Sequence, residues 1–365
     1  MKRQNETKYG GNDAMVYQDI EFFNVDHLES VEGMSGLRLH RFPASFSKCL
    51  GITKNYNARF RSQRTHGCEL RFVTEARYFD VALTVMEQDM DVVVYRGDMQ
   101  HKKYTLKAGV CTVLHIEYPP NFDLVRTEKL PKGQFSPDVW RIQFGLNGYL
   151  YFHYLDTFGF GHRPPRPEEE PAVHWAAYGS SITCGSACTL YSDCYINQAA
   201  VRLGWDVLNK GLSGSCLLEP EVADYLAGLS VDVLSLEVGV NMVPFFEEEE
   251  AKERIFHFLS VILEKSQAKR IYVIDIFPNK NLIFRDENSI FYRNYRNFKR
   301  ILREFMETEQ AHCDGRMCLI HGEDIVESLA YLSTDVLHPS DNGHIRMGEK
   351  LAAKMQNWKE TEGYI

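Results

Sequence analysis

Apolar and polar residues alternate along the first half of the chain. From about residue 15 to 160 the apolar positions recur with a period of two or in short bursts, in roughly eight to ten runs separated by turn-forming segments. The clearest runs are residues 37–40, 68–73, 79–85, 92–95, 111–116, 140–144 and 149–154. Because successive strand residues face opposite sides of a sheet, this pattern predicts an all-β, jelly-roll-like sandwich over residues 15–160.

The pattern changes after a proline-rich segment. Residues 161–171 hold four prolines and an acidic run, which is typical of an extended linker. Downstream, the sequence predicts strands at 173–178, 206–209, 231–237, 270–277 and 317–320, and helices at 191–203, 219–228, 247–266, 292–307 and 343–358. Strands that alternate with helices predict an α/β domain over residues 172–365, with a parallel sheet covered on both faces.

Polar loops follow three of these predicted strands. They are residues 179–183, 211–215 and 239–241, and each contains glycine or an amide side chain. A fourth polar segment, residues 335–339, precedes the last predicted helix. Because ligands of open α/β sheets bind beyond the carboxyl ends of the strands, we expect the loops to meet at one edge.

The residue types in these loops suit nucleophilic catalysis. Ser181 is a candidate nucleophile, but a serine hydroxyl needs a base to accept its proton. His338 is the candidate base, and Asp335, three residues earlier, could orient the imidazole through one ring nitrogen. The backbone amides of Ser181 and Gly214 and the side-chain amide of Asn241 are the candidate donors of an oxyanion hole.

Each of these residues also has an ordinary structural explanation. A serine after glycine commonly caps a helix, and Gly214 alone would be a plain turn residue. Asn241 could belong to an Asx turn, and His338 could cap the last helix. Their joint occurrence at the ends of successive strands favours the catalytic interpretation.

The four segments resemble the blocks that define the SGNH hydrolases, also called the GDSL esterase/lipase superfamily. Residues 179–183 resemble the nucleophile block, 209–214 the glycine block and 239–241 the asparagine block. Residues 335–339 together with Gly343-His344 resemble the Asp-x-x-His block, and the match covers about residues 173–358. The resemblance implies a flavodoxin-like α/β/α fold, with Ser181, His338 and Asp335 as the catalytic residues.

Two positions depart from the pattern of that superfamily. Ser180 stands where the usual Asp precedes the nucleophile, and Met242 replaces the Asp that often follows the block asparagine. Neither position carries out the proton transfers, so the two departures do not affect the expected serine chemistry. They leave open the branch of the superfamily to which the chain belongs and the shape of its acyl pocket. An N-terminal β-domain before such a catalytic domain is similar to the arrangement in carbohydrate acetylesterases and in acyltransferases of the SsfX3-like type.

Composition narrows the classes of partner. The 365 residues carry a net charge of −9 with 25% charged and 44% hydrophobic residues, and no long basic cluster is present. We therefore expect neither nucleic acid nor a membrane surface as partner. The first 14 residues form a polar tail without the apolar core of a signal peptide, which predicts a cytoplasmic protein.

The cysteines do not indicate a metal or disulfide framework. Their number is nine, which is odd, and they form no CxxC pair. Cys184, Cys188 and Cys194 cluster after the nucleophile loop, but no histidine lies at ligand spacing. The sequence therefore predicts buried free thiols, no metal site and no cofactor.

The leading functional prediction is a serine esterase that removes a short acyl group, most simply acetyl, from a carbohydrate or glycoside. The main alternative is an acyltransferase that passes the same acyl-serine intermediate to a small-molecule alcohol. A third hypothesis is carbohydrate binding by the β-sandwich, through Trp140 or the aromatic group at 149–154. An α/β-hydrolase elbow is excluded because Thr183 stands where Gly-x-Ser-x-Gly needs glycine. The oligomeric state is left open.

Overall fold

The computed structural model of the chain describes residues 7–8, 15–52, 54–130, 133–146, 148–308 and 315–361. Apart from Thr7–Lys8, the predicted N-terminal tail lies outside the described residues. Packing divides the chain into two units. The first comprises Met1–Ala44 and Ser62–Ala172, and the second comprises Ser45–Arg61 and Val173–Ile365. The segment Ser45–Arg61 thus interrupts the first unit in sequence but packs with the second.

The first unit consists of two antiparallel sheets. Its strands are β1 (Thr7–Lys8), β2 (Met15–Tyr17), β3 (Ile20–Phe23), β4 (His27–Ser30), β5 (Leu37–His40), β6 (Glu69–Thr74), β7 (Tyr78–Met86), β8 (Met90–Arg96), β9 (Met99–Leu106), β10 (Cys111–Glu117), β11 (Val139–Phe144), β12 (Tyr149–Asp156) and β13 (His162–Arg163). One sheet has the order β1-β2-β3-β6-β11-β8-β9, with β13 also paired to β6. The other has the order β10-β7-β12-β5-β4.

The core of this unit contains residues from both sheets. Alternate side chains of β7, from Phe79 to Val85, are buried in one apolar cluster with Trp140 and Ile142 of β11. This alternation is the physical basis of the period of two in the sequence, and the prediction of an all-β sandwich is confirmed. Trp140 is 0% exposed, so its indole is a core side chain. Tyr154, by contrast, is 43% exposed.

The stretch expected to be a linker is more ordered than its proline content suggests. His162–Arg163 forms β13 and pairs antiparallel with β6. Arg163 donates to both carboxylate oxygens of Glu169 at 2.7 Å, which ties the following turn back to the strand. A bidentate ion pair of this kind limits the conformations of the segment.

The second unit is a doubly wound α/β domain. Its strands are β14 (His174–Tyr178), β15 (Asp206–Asn209), β16 (Val233–Glu237), β17 (Arg270–Ile274) and β18 (Met317–Ile320). All pair in parallel, in the order β15-β14-β16-β17-β18. Numbered within the domain this is 2-1-3-4-5, the flavodoxin-like order, and the predicted fold class is confirmed.

The helices of this unit cover the sheet with apolar faces. They are α1 (Phe46–Cys49), α2 (Asn57–Arg61), α3 (Ser181–Cys184), α4 (Tyr195–Leu203), α5 (Pro220–Ala227), α6 (Glu248–Lys265), α7 (Ile290–Met306), α8 (Gly322–Ile325) and α9 (Asp341–Thr361). In α6, for example, Ile255, Phe258, Leu259 and Ile262 are buried at helical spacing. No helix in the described residues has an apolar run long enough to cross a membrane.

Candidate active site

Ser181 lies where β14 turns into α3. Ser180 is the N-cap of this helix, and its Oγ accepts a hydrogen bond from the Ile182 N–H at 3.1 Å. Ser181 is therefore the first helical residue and is 8% exposed. A helix N-terminus leaves backbone N–H groups without intrahelical partners, so it places donors next to the hydroxyl.

His338 and Asp335 form a hydrogen-bonded chain with Ser181. The Ser181 Oγ lies 2.7 Å from His338 Nε2, and His338 Nδ1 lies 2.6 Å from Asp335 Oδ2. A carboxylate accepts only, so the imidazole proton resides on Nδ1 and Nε2 is left to accept from the serine hydroxyl. The structure thus brings together the three residues that the sequence predicted as catalytic.

The turn that carries Asp335 is held by its own carboxylate. Asp335 Oδ1 accepts hydrogen bonds from the backbone N–H groups of Leu337 and His338 and from the Ser333 hydroxyl, all within 3.0 Å. Val336 adopts a positive φ of 54°, which is a strained conformation for a β-branched residue. Strain of this kind persists only where the surrounding contacts hold the backbone, as they do around Asp335.

These hydrogen bonds also keep Asp335 ionised. Partial burial by itself would raise the pKa of the carboxyl, but the hydrogen bonds from His338, Leu337 and Ser333 outweigh it. The net effect lowers the pKa of Asp335 well below its ordinary value. The carboxylate is therefore charged at neutral pH and can stabilise an imidazolium on His338.

Hydrogen bonds join the three loops at the ends of β14, β15 and β16. The Leu212 N–H donates to the Gly179 carbonyl at 2.8 Å. This bond links the glycine loop, residues 211–215 and the adjoining Cys216, to the nucleophile loop, residues 179–183. The Cys216 N–H donates to Asn241 Oδ1 at 3.1 Å, which links the glycine loop to the asparagine loop. The expectation that these loops meet at one edge of the sheet agrees with these contacts.

The contact to Cys216 fixes the orientation of the Asn241 amide. A backbone N–H must meet an oxygen, so the Nδ2 group is the end left for a ligand. Among the described residues, neither this group nor the backbone N–H groups of Ser181 and Gly214 donate to another protein group. Gly214 has a φ of +66°, a conformation that glycine adopts without strain.

Sequence reasoning missed two residues at this site. Asn55, in the segment Ser45–Arg61, donates from Nδ2 to the Gly214 carbonyl at 2.6 Å. No sequence motif marks Asn55. It lies 159 residues before Gly214, within the region predicted as β-sandwich, so nothing in the sequence links the two residues. Glu237 ends β16 and accepts from the Ser180 N–H at 2.6 Å. A carboxylate at the end of a predicted buried strand was the available signal for Glu237.

The cysteines near α3 are reduced thiols in a buried environment. Cys184, Cys188 and Cys194 are each less than 10% exposed. Burial raises the pKa of Cys194 to about 12 and raises that of Cys188 further, so both thiols are protonated at neutral pH. Among the described residues, no group of three or more His, Cys, Asp or Glu side chains is placed to hold a metal ion.

The arrangement suits acyl transfer through a covalent intermediate. A hydroxyl in contact with an oriented imidazole can be deprotonated as it attacks a carbonyl carbon. Free N–H groups beside it can stabilise the negative oxygen that forms. No redox or phosphoryl-transfer chemistry is needed to account for these residues.

Comparison with known proteins identifies the class. The GDSL-like Lipase/Acylhydrolase family matches residues 174–356, half of the chain. No match was found among curated proteins. The chain belongs to the GDSL-like lipase/acylhydrolase family. It is accordingly a carboxylic ester hydrolase of the SGNH/GDSL type, as the sequence predicted.

Several solved structures share the two-domain fold. Salicylyl-acyltransferase SsfX3 from a tetracycline biosynthetic pathway is 17% identical, with a TM-score of 0.73 over 93% of this chain and 95% of that one. A family two carbohydrate esterase from Cellvibrio japonicus is 12% identical, with a TM-score of 0.59 over 93% and 95%. One from Clostridium thermocellum, solved with cellohexaose, is 12% identical, with a TM-score of 0.56 over 81% and 93%. At these identities the likeness concerns the fold.

Proposed function

We propose that the protein is a serine esterase that hydrolyses a short-chain acyl ester, most simply an acetyl ester, of a carbohydrate or glycoside. The observation that carries this proposal is the continuous chain from Ser181 Oγ through both nitrogens of His338 to the Asp335 carboxylate, with contacts of 2.7 and 2.6 Å. Ser181 is the nucleophile, His338 the general base and Asp335 the residue that orients the imidazole.

The first half of the reaction forms an acyl-enzyme. Ser181 Oγ attacks the ester carbonyl carbon while His338 Nε2 accepts its proton. The carbonyl oxygen becomes an oxyanion and accepts from the N–H groups of Ser181 and Gly214 and from Asn241 Nδ2. When the intermediate collapses, the ester C–O bond breaks and His338 returns the proton to the departing alcohol. The acyl group is then bonded to Ser181.

The second half regenerates the enzyme. A water molecule attacks the acyl-serine carbonyl as His338 accepts one of its protons, and the same donors stabilise the second oxyanion. The Ser181 C–O bond breaks, His338 returns the proton to Ser181 Oγ, and the carboxylic acid leaves. The charged Asp335 stabilises the imidazolium in both halves.

The carbohydrate class of substrate is inferred from proteins of similar fold. Structures with the same two-domain fold include carbohydrate esterases of family two, and one of them was solved with cellohexaose. Another neighbour with the same kind of fold is a salicylyl-acyltransferase from a tetracycline biosynthetic pathway. The chemistry of the first half-reaction is common to both activities, because they differ only in the nucleophile that deacylates the serine.

Product analysis separates these activities. Purified enzyme is incubated with acetylated xylo-oligosaccharides or cello-oligosaccharides, and released acetate is measured alone and with a large excess of a small alcohol. The proposal predicts that acetate release dominates in both cases, and that acetyl esters turn over faster than esters of longer acids. Quantitative transfer of acetyl to the alcohol would support the acyltransferase. Turnover of simple aryl esters without any turnover of acetylated sugars would contradict the carbohydrate assignment.

A further inference from the structure

A buried carboxylate lies directly behind the nucleophile. Glu237 is the last residue of β16, is 1% exposed and faces the turn that joins β14 to α3. Its Oε2 accepts the Ser180 N–H at 2.6 Å and the Thr183 hydroxyl at 3.2 Å. One carboxylate oxygen therefore binds a residue before Ser181 and a residue after it.

The turn is shaped to let this carboxylate approach. A Cβ atom on Gly179 would fall 2.6 Å from Glu237 Oε2 and 2.2 Å from Thr183 Oγ1. Both distances are far below van der Waals contact, so only glycine allows the contact at this position. Thr183 Oγ1 is in turn 2.8 Å from the Tyr195 hydroxyl, which extends the network to α4.

Within the described residues, the carboxylate of Glu237 has no cationic side chain as a partner. No Lys, Arg or His side chain forms an ion pair with Glu237 in the described part of the chain, and Glu237 Oε1 is buried without a hydrogen-bond partner. The titratable groups that face it are Tyr195 of α4 and Cys216 of the glycine loop, and burial raises the pKa values of both well above the ordinary range. An uncompensated buried carboxylate is costly, so its position calls for a function.

The departure at Ser180 fits this arrangement. Members of the superfamily usually carry Asp before the nucleophile, and here that side chain would enter a buried space already occupied by Glu237. Two carboxylates in such a space repel each other, and one of them must then bind a proton. A serine at this position carries no charge, and its Oγ accepts from the Ile182 N–H.

We propose that Glu237 is a positioning residue for the nucleophile, and that Ser180 and Glu237 together replace the single Asp that usually precedes the catalytic serine. Glu237 Oε2 holds the peptide between Gly179 and Ser180, directly before the nucleophile, and it also holds the Thr183 hydroxyl two residues after Ser181. These two contacts fix the turn that directs the Ser181 hydroxyl toward His338. The oxygen acts as an acceptor, so a neutral amide that keeps this oxygen performs the same task. This inference rests on the proposed role of Ser181.

The prediction concerns turnover rather than substrate binding. A nucleophile turn that is displaced loses alignment in the transition state, which lowers kcat and leaves KM nearly constant. Glu237→Gln retains one acceptor oxygen and can place its NH₂ group at the position of the unpartnered Oε1. We expect it to keep kcat within about threefold of the wild type, whereas Glu237→Leu lowers kcat by about 100-fold or more.

A double-mutant cycle tests the link to Ser180. Ser180→Asp in the wild-type background should lower kcat at least about tenfold at pH 8, because it creates a second buried carboxylate. Combining Ser180→Asp with Glu237→Gln should restore most of that loss. Ser235→Ala is the matched control, because Ser235 lies on the same strand and accepts a hydrogen bond from buried Trp175 without touching the nucleophile turn. It should leave kcat unchanged.

Steady-state kinetics with p-nitrophenyl acetate and circular dichroism on all variants decide the outcome. Equal kcat values for the wild type, Glu237→Leu and Ser180→Asp would overturn the inference, as would a Glu237→Gln variant as impaired as Glu237→Leu. If Glu237→Leu does not fold, the rescue within the Ser180→Asp cycle still decides. A Ser181→Ala variant measured alongside separates this result from a failure of the proposed function, since full activity in that variant would contradict the nucleophile itself.

Discussion

The side-chain amide of Asn55 donates a hydrogen bond to the carbonyl oxygen of Gly214 at 2.6 Å, across 159 residues of sequence. The same amide contacts Ser215 Oγ at 3.3 Å. Both residues belong to the second unit, although Asn55 precedes most of the β-sandwich in the chain. The peptide that follows Gly214, the residue whose N–H we propose as an oxyanion donor, is therefore held by a segment from the N-terminal half.

Replacing Asn55 should weaken catalysis without unfolding the protein. Asn55→Ala removes the hydrogen bond to the Gly214 carbonyl. Gly214 has a φ of +66° and no side chain of its own, so the loop around it becomes less constrained. We expect kcat for p-nitrophenyl acetate to fall about tenfold with little change in KM, because one oxyanion donor loses its fixed position. Asn57→Ala is the control, since Asn57 is exposed two residues away. An Asn55→Ala enzyme as fast as this control would show that the contact does not support the site.

We expect a larger effect at Asn241, the side-chain donor of the proposed oxyanion hole. Asn241→Ala removes the Nδ2 group outright and also the acceptor for the Cys216 N–H. The loss of one preorganised donor typically lowers kcat by about 10²-fold to 10³-fold. Stopped-flow measurement of acylation and deacylation should find both steps slowed, because each passes through an oxyanion. Slowing of only one step would be inconsistent with a shared oxyanion hole.

Replacing His338 should lower activity more than replacing Asp335. His338→Ala removes the base, so we expect a loss of kcat/KM on the order of 10⁴-fold or more. Asp335→Ala leaves an imidazole that can still accept a proton but lacks its orienting carboxylate, so the loss should be smaller. Initial rates on the same ester at pH 8 give the order directly. A larger loss for Asp335→Ala than for His338→Ala would reverse the assigned roles.

Glu237 should make stability depend on pH. Burial raises the pKa of this carboxyl from 4.5 to about 7, against the lowering effect of hydrogen bonds from Ser180 and Thr183. The stabilising contribution is present below pH 4.5 and is lost as the pH rises through 7, because the unfolded chain loses its proton first. The shift corresponds to about 3 kcal/mol in the free energy of unfolding.

Urea denaturation of the wild type and of Glu237→Gln at pH 5 and pH 8 isolates this effect. The free energy of unfolding of the wild type should fall relative to that of the variant between the two values, since the amide does not titrate. Other groups, such as Asp335, contribute equally to both proteins and cancel in the difference. A constant difference across this pH range would contradict a raised pKa for Glu237.

Local patterns were sufficient for the architecture. The alternation at 79–85 and the amphipathic period over Glu248–Lys265 arise because the apolar side chains of each element face a core. Both the sandwich and the parallel sheet covered by helices could therefore be predicted from the sequence. The start of the helix after the nucleophile loop was less accurate: a helix was predicted from residue 191, whereas Tyr191–Asp193 forms a 3₁₀ turn and the α-helix begins at Tyr195. Capping and turn residues there carry a weak periodic signal.

The site was predictable to the extent that its residues follow strands. Ser181, Gly214 and Asn241 each follow a strand of the parallel sheet, so their convergence at one edge follows from the topology. The spacing from Asp335 to His338 fits one turn of backbone. The contacts of Asn55 and Glu237 could not be derived in this way. They depend on which surfaces meet after folding, and a single sequence contains no record of such long-range pairs.

The most direct test of the account is whether the acyl group becomes bonded to Ser181. Enzyme mixed with p-nitrophenyl acetate and quenched in acid during the first turnovers is digested and examined by mass spectrometry, with Ser181→Ala treated in parallel. We predict an acetyl group on the peptide that contains Ser181, and a loss of nitrophenol release on the order of 10³-fold or more in the variant. Equal nitrophenol release by both proteins, or an acetyl group confined to another residue, would contradict it.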